Sequence, residues 1–399
     1  MSSERSKTGS LASRVAGERL PLQGVHVVAL EQSVAGPLCS RVLADLGATV
    51  VKVESAKGDF SRRWDSHVKG NSSHFVWLSR RKKSVRLDLH EPKDSELLHQ
   101  LLGDADVLVM NMSAAAADRV GLTEVVLGER FPRLITCHIT GYGTKGQSRN
   151  RKAYDMLLQA ETGLLGLTGD EDGPVRIGVS VADIGTGLYA AILILGALLQ
   201  RQSSGVGRFI DLSMFQAMTE FAGPNLTAFA NSGVEYERRR LRHHNIVPYG
   251  IYECSDGHIA IAVEHDKEWV VLCQKVLDRQ DLLQPRFETN ELRVTNRRDV
   301  DAAVEEIFRK QSGAFWIERL EAAHLAFARI NSIRDVWEHA VVRDLNLRSS
   351  VDLSDGSSGW VLRSPAETAF RIDDVASVPA LDADRAAILA DMTVKKSKA

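Results

Sequence analysis

The 399-residue chain has few cysteines, and they lie far apart. The four, Cys39, Cys137, Cys254 and Cys273, form no CxxC pair, and each lies among apolar residues. This spacing argues against a disulfide framework or a zinc site and favours four buried thiols in a cytoplasmic protein. None of the 12 histidines falls in an HExxH or HxE…PCxxC pattern. We therefore expect no metal site, no metal-dependent hydrolysis and no zinc-dependent deamination.

A long uninterrupted apolar run and a large net charge are also missing. The longest run, residues 188–199, has 12 residues, whereas a membrane-spanning helix needs about 20, so we expect a buried core helix. Residues 1–20 lack the apolar segment of a signal peptide and are expected to be a disordered tail, although a mitochondrial transit peptide is less firmly excluded. Fifty basic and 52 acidic residues give a formal charge of −2, so neither nucleic acid nor a membrane is an expected partner.

Short runs of valine, isoleucine and leucine alternate with helical segments in the first half of the chain. Strands are expected at residues 25–31, 49–54, 84–89, 106–111 and 133–140. The alternation is typical of a parallel α/β sheet, which binds ligands at the carboxyl ends of its strands. The segment after the first strand, residues 33–37, reads SVAGP rather than GxGxxG, and no GxxxxGK[ST] motif occurs. NAD-dependent dehydrogenases and P-loop NTPases are therefore excluded.

The pattern changes in the second half and predicts a second domain. We expect a large domain over 21–225, a linker over 226–245, a small α+β domain over 246–330 and a return to the large domain over 331–399. An Asp-Gly pair at 256–257 predicts a β-hairpin in the small domain. The basic run 80–83 is expected to be a solvated surface.

Asp183 stands where a strand-like segment gives way to the apolar helix. A carboxylate there can accept the first free helical amide hydrogens, so a helix N-cap is the favoured interpretation from the residues alone. Gly185 and Gly187 shift the balance, because each costs a helix about 1 kcal/mol and suggests close backbone approach. The nearest approach to a serine-hydrolase elbow, residues 178–182 (GVSVA), lacks the second glycine.

The chain resembles the class III CoA-transferases, which include formyl-CoA and carnitine CoA-transferases. Ten segments carry the resemblance in order from residue 22 to at least 345, among them LADLGATVVKVE, RRKKSVRLDL, KAYDMLLQAETGLLGLTG, VADIGTG and VPYGIYECSDG. The resemblance implies a Rossmann-like large domain, a smaller α+β domain and a homodimer of interlocked rings, with residues 235–244 as a crossing linker. It also implies CoA or acyl-CoA and a small carboxylic acid as substrates, with no permanently bound cofactor.

By this resemblance Asp183 matches the family's nucleophile, which forms an aspartyl-CoA intermediate, and the helix terminus is expected to keep it ionised. Family members often carry Gln where Val34 stands and Arg where Ser55 stands, and Lys57 is a candidate to replace the missing charge. The contacts to CoA implied by the matching segments are Val34, Ala35, Lys57, Leu87, Asn111, Met112, Arg119 and Lys152.

CoA transfer has two alternatives, a racemase reaction and a protein that binds CoA without catalysis. The related acyl-CoA racemases pair the aspartate with a histidine, but Tyr154 stands at the matching position. Its phenol, with an ordinary pKa near 10, is a poor base for an α-proton, so transfer is favoured, and a core aromatic is the alternative for Tyr154. A catalytically decayed CoA-binding protein is disfavoured by the intact VADIGTG segment.

The segments EQSVAGP (31–37) and SHFVWLSRRKKSVRLDL (73–89) most resemble the branch that acts on short dicarboxylates such as mesaconate, itaconate and citramalate, with succinyl-CoA as donor. Arg242 or His243 is expected to bind the second carboxylate. A run of four glycines, typical of formyl-CoA transferases, does not occur after Gly250, which counts against oxalate and formate.

Overall fold

The structure is a computed structural model that describes residues 19–396, with side chains described to residue 391. Its strands are β1 (His26–Leu30), β2 (Thr49–Glu54), β3 (Lys82–Arg86), β4 (Val107–Met110), β5 (Ile135–Thr140), β6 (Gly169–Asp170), β7 (Gly173–Pro174), β8 (Arg208–Ser213), β9 (Tyr249–Cys254), β10 (Gly257–Ala262), β11 (Ala326–Arg329), β12 (Arg348–Asp352), β13 (Ser358–Leu362) and β14 (Ala376–Ser377).

The helices are α1 (Ala35–Asp45), α2 (Ser73–Ser79), α3 (Pro92–Gly103), α4 (Ala114–Arg119), α5 (Glu124–Arg130), α6 (Asp155–Glu161), α7 (Leu164–Leu167), α8 (Val181–Ser204), α9 (Met214–Phe221), α10 (Gly223–Ser232), α11 (Asp266–Val271), α12 (Asn290–Thr295), α13 (Arg297–Phe308), α14 (Gly313–Ala322), α15 (Ile333–Trp337), α16 (Ala340–Asp344), α17 (Pro365–Ala369) and α18 (Arg385–Lys396). Short 3₁₀ turns lie at Phe60–Arg63, Gln280–Leu282 and Pro285–Phe287, and a π turn lies at Leu272–Val276.

The chain divides into two compact units. Within the described residues, the large unit contains 19–162, 178–223 and 341–396, and the small unit contains 163–177 and 224–340. The expected linker, 226–245, therefore lies in the small unit, where the Arg240 amide donates to the Gly169 carbonyl at 2.7 Å. Composition alone could not show this backbone pairing, because the two residues are far apart in the chain. The expected tail, 1–20, lies almost wholly outside the described residues.

The large unit is built on six parallel strands in the order β3-β2-β1-β4-β5-β8. Its central strands are covered on both faces, and all four residues of β4 have no exposed surface. This double burial explains the continuous apolar runs in the sequence. The strand order reverses between β1 and β4, which in open α/β sheets is where ligands bind. The prediction of an α/β domain with a large parallel sheet is confirmed.

The apolar run of the sequence lies in α8, a 24-residue helix packed on α1, α9, β5 and β8. Only one face of α8 is buried, whereas Leu188, Ile192 and Leu199 are between 44% and 68% exposed. With a mean hydropathy of 1.9 over its most apolar window, half of which is buried, α8 is long and apolar enough to cross a membrane by length and composition alone. The core helices of soluble proteins meet the same criterion. The prediction of a buried core helix thus holds for one face.

The small unit contains an antiparallel sheet in the order β11-β10-β9. Cys254 pairs with Gly257 across the predicted hairpin turn, which confirms the hairpin. The helices of this unit pack on the sheet around Trp269, Phe308 and Trp316. A second small sheet, β13-β12-β14, belongs to the C-terminal part of the large unit. The four cysteines are buried free thiols, as predicted.

Candidate functional site

A cleft of about 710 Å³ lies at the carboxyl ends of β1 to β4, where the strand order reverses. Its walls are the segments that follow these strands, together with part of α4. Five of the predicted CoA contacts line it, namely Lys57, Leu87, Asn111, Met112 and Arg119. The sheet topology therefore brings together residues that are up to 62 positions apart in the sequence, since Lys57 and Arg119 face one cleft.

A buried ion network holds the floor of this cleft. The Lys52 Nζ lies 2.9 Å from Asp59 Oδ2 and 3.3 Å from Glu31 Oε1, and the Lys82 Nζ lies 2.7 Å from the same Glu31 oxygen. Burial alone would raise the pKa of Glu31, but the two ammonium groups hold it below its ordinary value. The prediction of a solvated basic surface at 80–83 is wrong, because Lys82 is buried here and Arg80 is buried against Glu367 at 3.0 Å.

Asp59 connects the loops on either side of the cleft. Its Oδ1 accepts from the backbone amides of Ser61 and Ser33, at 2.9 and 3.3 Å. Ser33 has a φ of 68°, which a residue with a side chain rarely adopts, and it lies just before α1. Asn111 fixes the same loop, because its amide donates to and accepts from the backbone of Gln32. Hydrogen bonds with Asp59 and Asn111 therefore fix the positions of the loops after β1 and β2.

Two cations on the cleft wall are exposed. Lys57 and Arg119 form no side-chain hydrogen bond or ion pair with any residue in the described part of the chain. Their charges are thus available to an anionic ligand such as a phosphate group. Lys152, by contrast, is exposed and does not line the cleft.

Val34 and Ala35 do not line the cleft either. Both are only 2% exposed, at the start of α1. They lie between the cleft and α8: a Cβ on the neighbouring Gly36 would lie 3.1 Å from Asn111 Cγ, and one on Gly187 would lie 2.7 Å from the Ala35 carbonyl oxygen. The start of α1 therefore links the cleft to the first turns of α8.

Asp183 lies in the first turn of α8, at the same edge of the sheet as the cleft. Near the other end of α8, Arg201 donates to the Arg133 carbonyl at 2.9 Å and to the Asp106 carboxylate at 2.7 Å. These two residues precede β5 and β4, so α8 ends at the amino edge of the sheet and begins at the carboxyl edge. The side chain of Asp183 is half-buried and accepts no hydrogen bond from the described residues.

The electrostatics of Asp183 differ from the prediction. Burial, followed by the negative charge of Asp155, raises the pKa of Asp183 to about 7. The helix terminus is expected from the sequence to keep Asp183 ionised, but desolvation and a like charge outweigh the helix dipole and favour its protonated form. At neutral pH the carboxyl group is about half ionised.

The N-cap interpretation of Asp183 is also wrong. The N-cap residue of α8 is Ser180, and the amide of Ala182 donates to Asp155 Oδ1 at 2.8 Å. Asp155 comes from the start of α6, 27 residues earlier, so no local pattern around Asp183 could reveal it. In the sequence, Asp155 is marked only by its position next to Tyr154 in the segment KAYD.

The two glycines after Asp183 serve helix packing. A Cβ on Gly185 would lie 2.7 Å from the Phe221 ring and 2.8 Å from the Met218 methyl group on α9. Gly187 lies equally close to the backbone of α1. The predicted close backbone approach is confirmed, but the partners are helices of the same unit.

Three further predicted residues lie in different surroundings. Tyr154 is 67% exposed at the N-cap of α6, so the core-aromatic alternative is wrong. Arg242, in the small unit, lies 2.6 Å from Glu305 and 3.6 Å from Asp301, so its charge is already compensated. His243 stacks on Tyr249, with ring centroids 5.0 Å apart. Burial and Arg297 lower the pKa of His243, which leaves it a neutral hydrogen-bonding group at pH 7.

The donor set of the cleft suits an organic anion. Within residues 19–396, no group of three or more His, Cys, Asp or Glu side chains is arranged to hold a metal ion. The cleft instead combines apolar walls at Leu87 and Met112 with the cations Lys57 and Arg119. It can therefore accommodate a ligand with a flat apolar part and phosphate groups.

Comparison with known proteins gives a consistent result. The model of the family described as CoA-transferase family III matches residues 22–385. A mouse succinyl-CoA:glutarate CoA-transferase is 33% identical over 81% of this chain and 74% of its own length. A succinyl-CoA:mesaconate CoA-transferase from Haloarcula marismortui is 29% identical over 83% of this chain and 85% of its own. The crystal structure of a CAIB/BAIF family protein from Brucella suis superposes with a TM-score of 0.80 and 32% identity, covering 94% of this chain and all of that one.

Proposed function

The chain belongs to CoA-transferase family III, and on this basis we propose that it transfers CoA from succinyl-CoA to a C4–C5 dicarboxylic acid through covalent catalysis at Asp183. Family membership makes it an enzyme that takes an acyl-CoA as substrate. The donor, the acceptor acid and the residue roles are the proposal.

One observation carries the role of Asp183: a half-buried carboxyl group without a hydrogen-bond partner among the described residues begins α8 at the edge of the sheet where the cleft opens. A nucleophile needs an unshared, accessible oxygen, whereas a structural carboxylate is normally satisfied by hydrogen bonds. A pKa of about 7 leaves half of the molecules ionised at neutral pH and makes the carboxylate more basic than an ordinary aspartate.

The proposed reaction consists of four acyl transfers. An Asp183 oxygen attacks the thioester carbonyl of succinyl-CoA, the C–S bond breaks, and CoA leaves as the thiolate; the succinyl group and Asp183 are then joined in a mixed anhydride. The thiolate then attacks the Asp183 acyl carbon and releases succinate, which gives an aspartyl-CoA thioester. The acceptor carboxylate attacks this thioester and expels the thiolate again. Attack of the thiolate on the acceptor carbonyl forms the new acyl-CoA and restores the Asp183 carboxylate.

The CoA part of the substrate is assigned to the cleft. Lys57 and Arg119 are placed to pair with phosphate groups, and Leu87 and Met112 supply apolar surface. Asn111 contributes by holding the Gln32 backbone, since its amide is already used there. Val34 and Ala35 act by packing α1 against α8 rather than by contact with the ligand. Lys152 and Tyr154, both exposed before α6, stay candidates for the open side of the site.

The acceptor is assigned from the relatives. Glutarate and mesaconate, the acids in the two relatives' names, are both C5 dicarboxylates, and this agrees with the mesaconate, itaconate and citramalate branch indicated by the motifs. Of the two residues expected to bind the second carboxylate, Arg242 would first have to leave Glu305 and Asp301. His243 can offer a neutral hydrogen bond.

A homodimer in the cytoplasm is part of the proposal. The exposed apolar side chains Leu188, Ile192 and Leu199 on α8 give a second copy of the chain an apolar surface to cover. Interlocked chains would stay dimeric on dilution, because they cannot separate without unfolding. Sedimentation velocity over a wide range of protein concentrations tests this, and folded monomers at low concentration would contradict it.

The test of the activity is an exchange assay. The protein is incubated with succinyl-CoA and a panel of C4–C5 acids, with oxalate and formate included, and new thioesters are identified by mass. Transfer to glutarate, mesaconate, itaconate or citramalate supports the proposal. Incorporation of solvent deuterium at the α-carbon of a 2-methylacyl-CoA without acid exchange would indicate the racemase reaction instead. Binding of CoA with neither reaction would indicate a decayed enzyme.

A further inference from the structure

Asp155 connects the first turns of two helices. It is buried at the start of α6, and its Oδ1 accepts from the amide of Ala182 in the first turn of α8 at 2.8 Å. Its Oδ2 accepts from Nε2 of Gln159, which has no exposed surface, at 2.7 Å. Both oxygens of Asp155 are therefore fixed in direction.

This arrangement controls the turn that carries Asp183. Ser180, the N-cap residue of α8, makes no side-chain capping hydrogen bond. Asp155, from the neighbouring helix α6, instead accepts the hydrogen bond from the Ala182 amide that a cap would accept. Ala182 directly precedes Asp183, and a displacement of this amide would move the Asp183 carboxyl group with it. A helix without its cap frays in the first turn.

We propose that Asp155 is a positioning residue for Asp183, one that fixes the first turn of α8 and places a negative charge beside the nucleophile. This inference rests on the proposed function, because it assigns Asp155 a role in the same reaction. The negative charge of Asp155 makes the Asp183 carboxylate more basic and hence a stronger nucleophile toward a thioester. About half of the protein molecules still carry an ionised Asp183 at pH 7.

Other charged groups do not explain this effect. Of the charged or titratable groups on the elements that pack against α8, only Asp155 shifts the pKa of Asp183, after burial itself. The charged or titratable groups on these elements are Cys39, Arg41 and Asp45 on α1, His74 on α2, Cys137 and His138 on β5, Asp155 and Glu161 on α6, Arg208 and Asp211 on β8, and Glu220 on α9.

Asp155→Asn tests the inference with little change in shape. The asparagine oxygen can still accept from Ala182, and rotation of the Gln159 amide lets its oxygen accept from the new NH₂ group. We expect the acid limb of kcat/KM to move to lower pH by about one unit, because the like charge is gone. Glu220→Gln is the matched control, since it removes an exposed carboxylate from α9 and is expected to leave the limb near pH 7.

Gln159→Leu distinguishes the effect of the Asp155 charge from the effect of the Asp155 orientation. It keeps the negative charge of Asp155 and removes a side chain that orients it, so kcat is expected to fall while the acid limb stays near pH 7. Identical pH profiles for Asp155→Asn, Gln159→Leu and wild type would overturn the inference, as would a uniform loss of rate in Asp155→Asn without movement of the limb.

A direct titration gives a reading that does not depend on turnover. In protein labelled with ¹³C at aspartate carboxyl groups, the Asp183 signal is identified by its loss in Asp183→Asn. We expect its midpoint near pH 7 in wild type and about one unit lower in Asp155→Asn. An unchanged midpoint contradicts the role of Asp155, whereas absence of CoA transfer by the wild type contradicts the proposed function and leaves this titration interpretable.

Discussion

The backbone of Gly187 lies against the carbonyl oxygen of Ala35, so close that a Cβ on residue 187 would be 2.7 Å from that oxygen. Because Ala35 begins α1 and Gly187 belongs to the second turn of α8, this contact fixes the distance between the two helices near the site. Gly36, which follows Ala35 in α1, lies against the Asn111 side chain on the cleft wall. A short path of packed backbone therefore connects the cleft with the turn that carries Asp183.

Gly187→Ala is expected to destabilise the protein by about 1–3 kcal/mol, because α1 or α8 must shift to accommodate the methyl group. Gly196→Ala is the matched control in the same helix: nothing lies within 4 Å of a Cβ there, and the residue is exposed. That variant is expected to gain about 0.5–1 kcal/mol from helix propensity. Urea denaturation of both variants checks the pair, and equal effects would contradict the packing described here.

Replacement of Lys57 or Arg119 by Ala is expected to raise the Kd for CoA by about tenfold each, since a charge-assisted contact to phosphate is lost. Lys145→Ala is the control, because Lys145 is 81% exposed and lies near Glu124, outside the cleft. Isothermal titration at two salt concentrations measures the effect, which should shrink at high salt. Unchanged affinity in both variants would show that CoA does not bind in this cleft.

Lys52→Met is expected to destabilise the fold by about 3–5 kcal/mol, because Asp59 then keeps a buried charge without its ammonium partner. The loop that carries Lys57 should loosen as well, and the affinity for CoA should fall. Lys83→Met is the control, since Lys83 is 39% exposed and lies 3.8 Å from the exposed Asp391. A thermal melt of Lys52→Met that resembles the control would contradict the role given to the buried network.

Asp183→Asn is expected to change stability in a pH-dependent manner. The pKa of Asp183 is raised in the folded protein to about 7 from its ordinary 3.8, so wild type loses stability as pH rises through this window. The variant lacks this charge, so its stability relative to wild type should rise between about pH 4 and pH 7 and stay constant above pH 7. Partial exposure limits the gain to on the order of 1–2 kcal/mol. Thermal melts of both proteins at several pH values test this prediction. A stability gain that is present at acid pH and disappears as the pH rises would contradict the predicted direction.

The central part of the fold could be predicted from the sequence because buried parallel strands leave a local signature. The strand expected at 49–54 is β2, and the hairpin at Asp256 and Gly257 follows from turn chemistry. The strand expected at 84–89 begins earlier, at Lys82. Its charge is buried through Glu31, 51 residues away, and a local reading of a basic run cannot anticipate such a partner.

Residues of the proposed site could be predicted from the sequence only where they lie within a recognisable motif. The segment VADIGTG points to Asp183 as the candidate nucleophile, whereas the electrostatic environment of this residue depends on Asp155, 27 residues before Ala182. Arg242 looked like an available cation, but Glu305, 63 residues later, compensates its charge. In each case the missing information was a partner brought in by tertiary structure.

The covalent role of Asp183 is central to the proposed mechanism, and trapping of the intermediate tests it directly. Wild type and Asp183→Asn are mixed with succinyl-CoA, treated with hydroxylamine, digested and examined by tandem mass spectrometry. We expect a hydroxamate at Asp183 in wild type, and neither the modification nor CoA transfer in the variant. Transfer at a near-normal rate by Asp183→Asn, or transfer by wild type with no modification at residue 183, would contradict the mechanism.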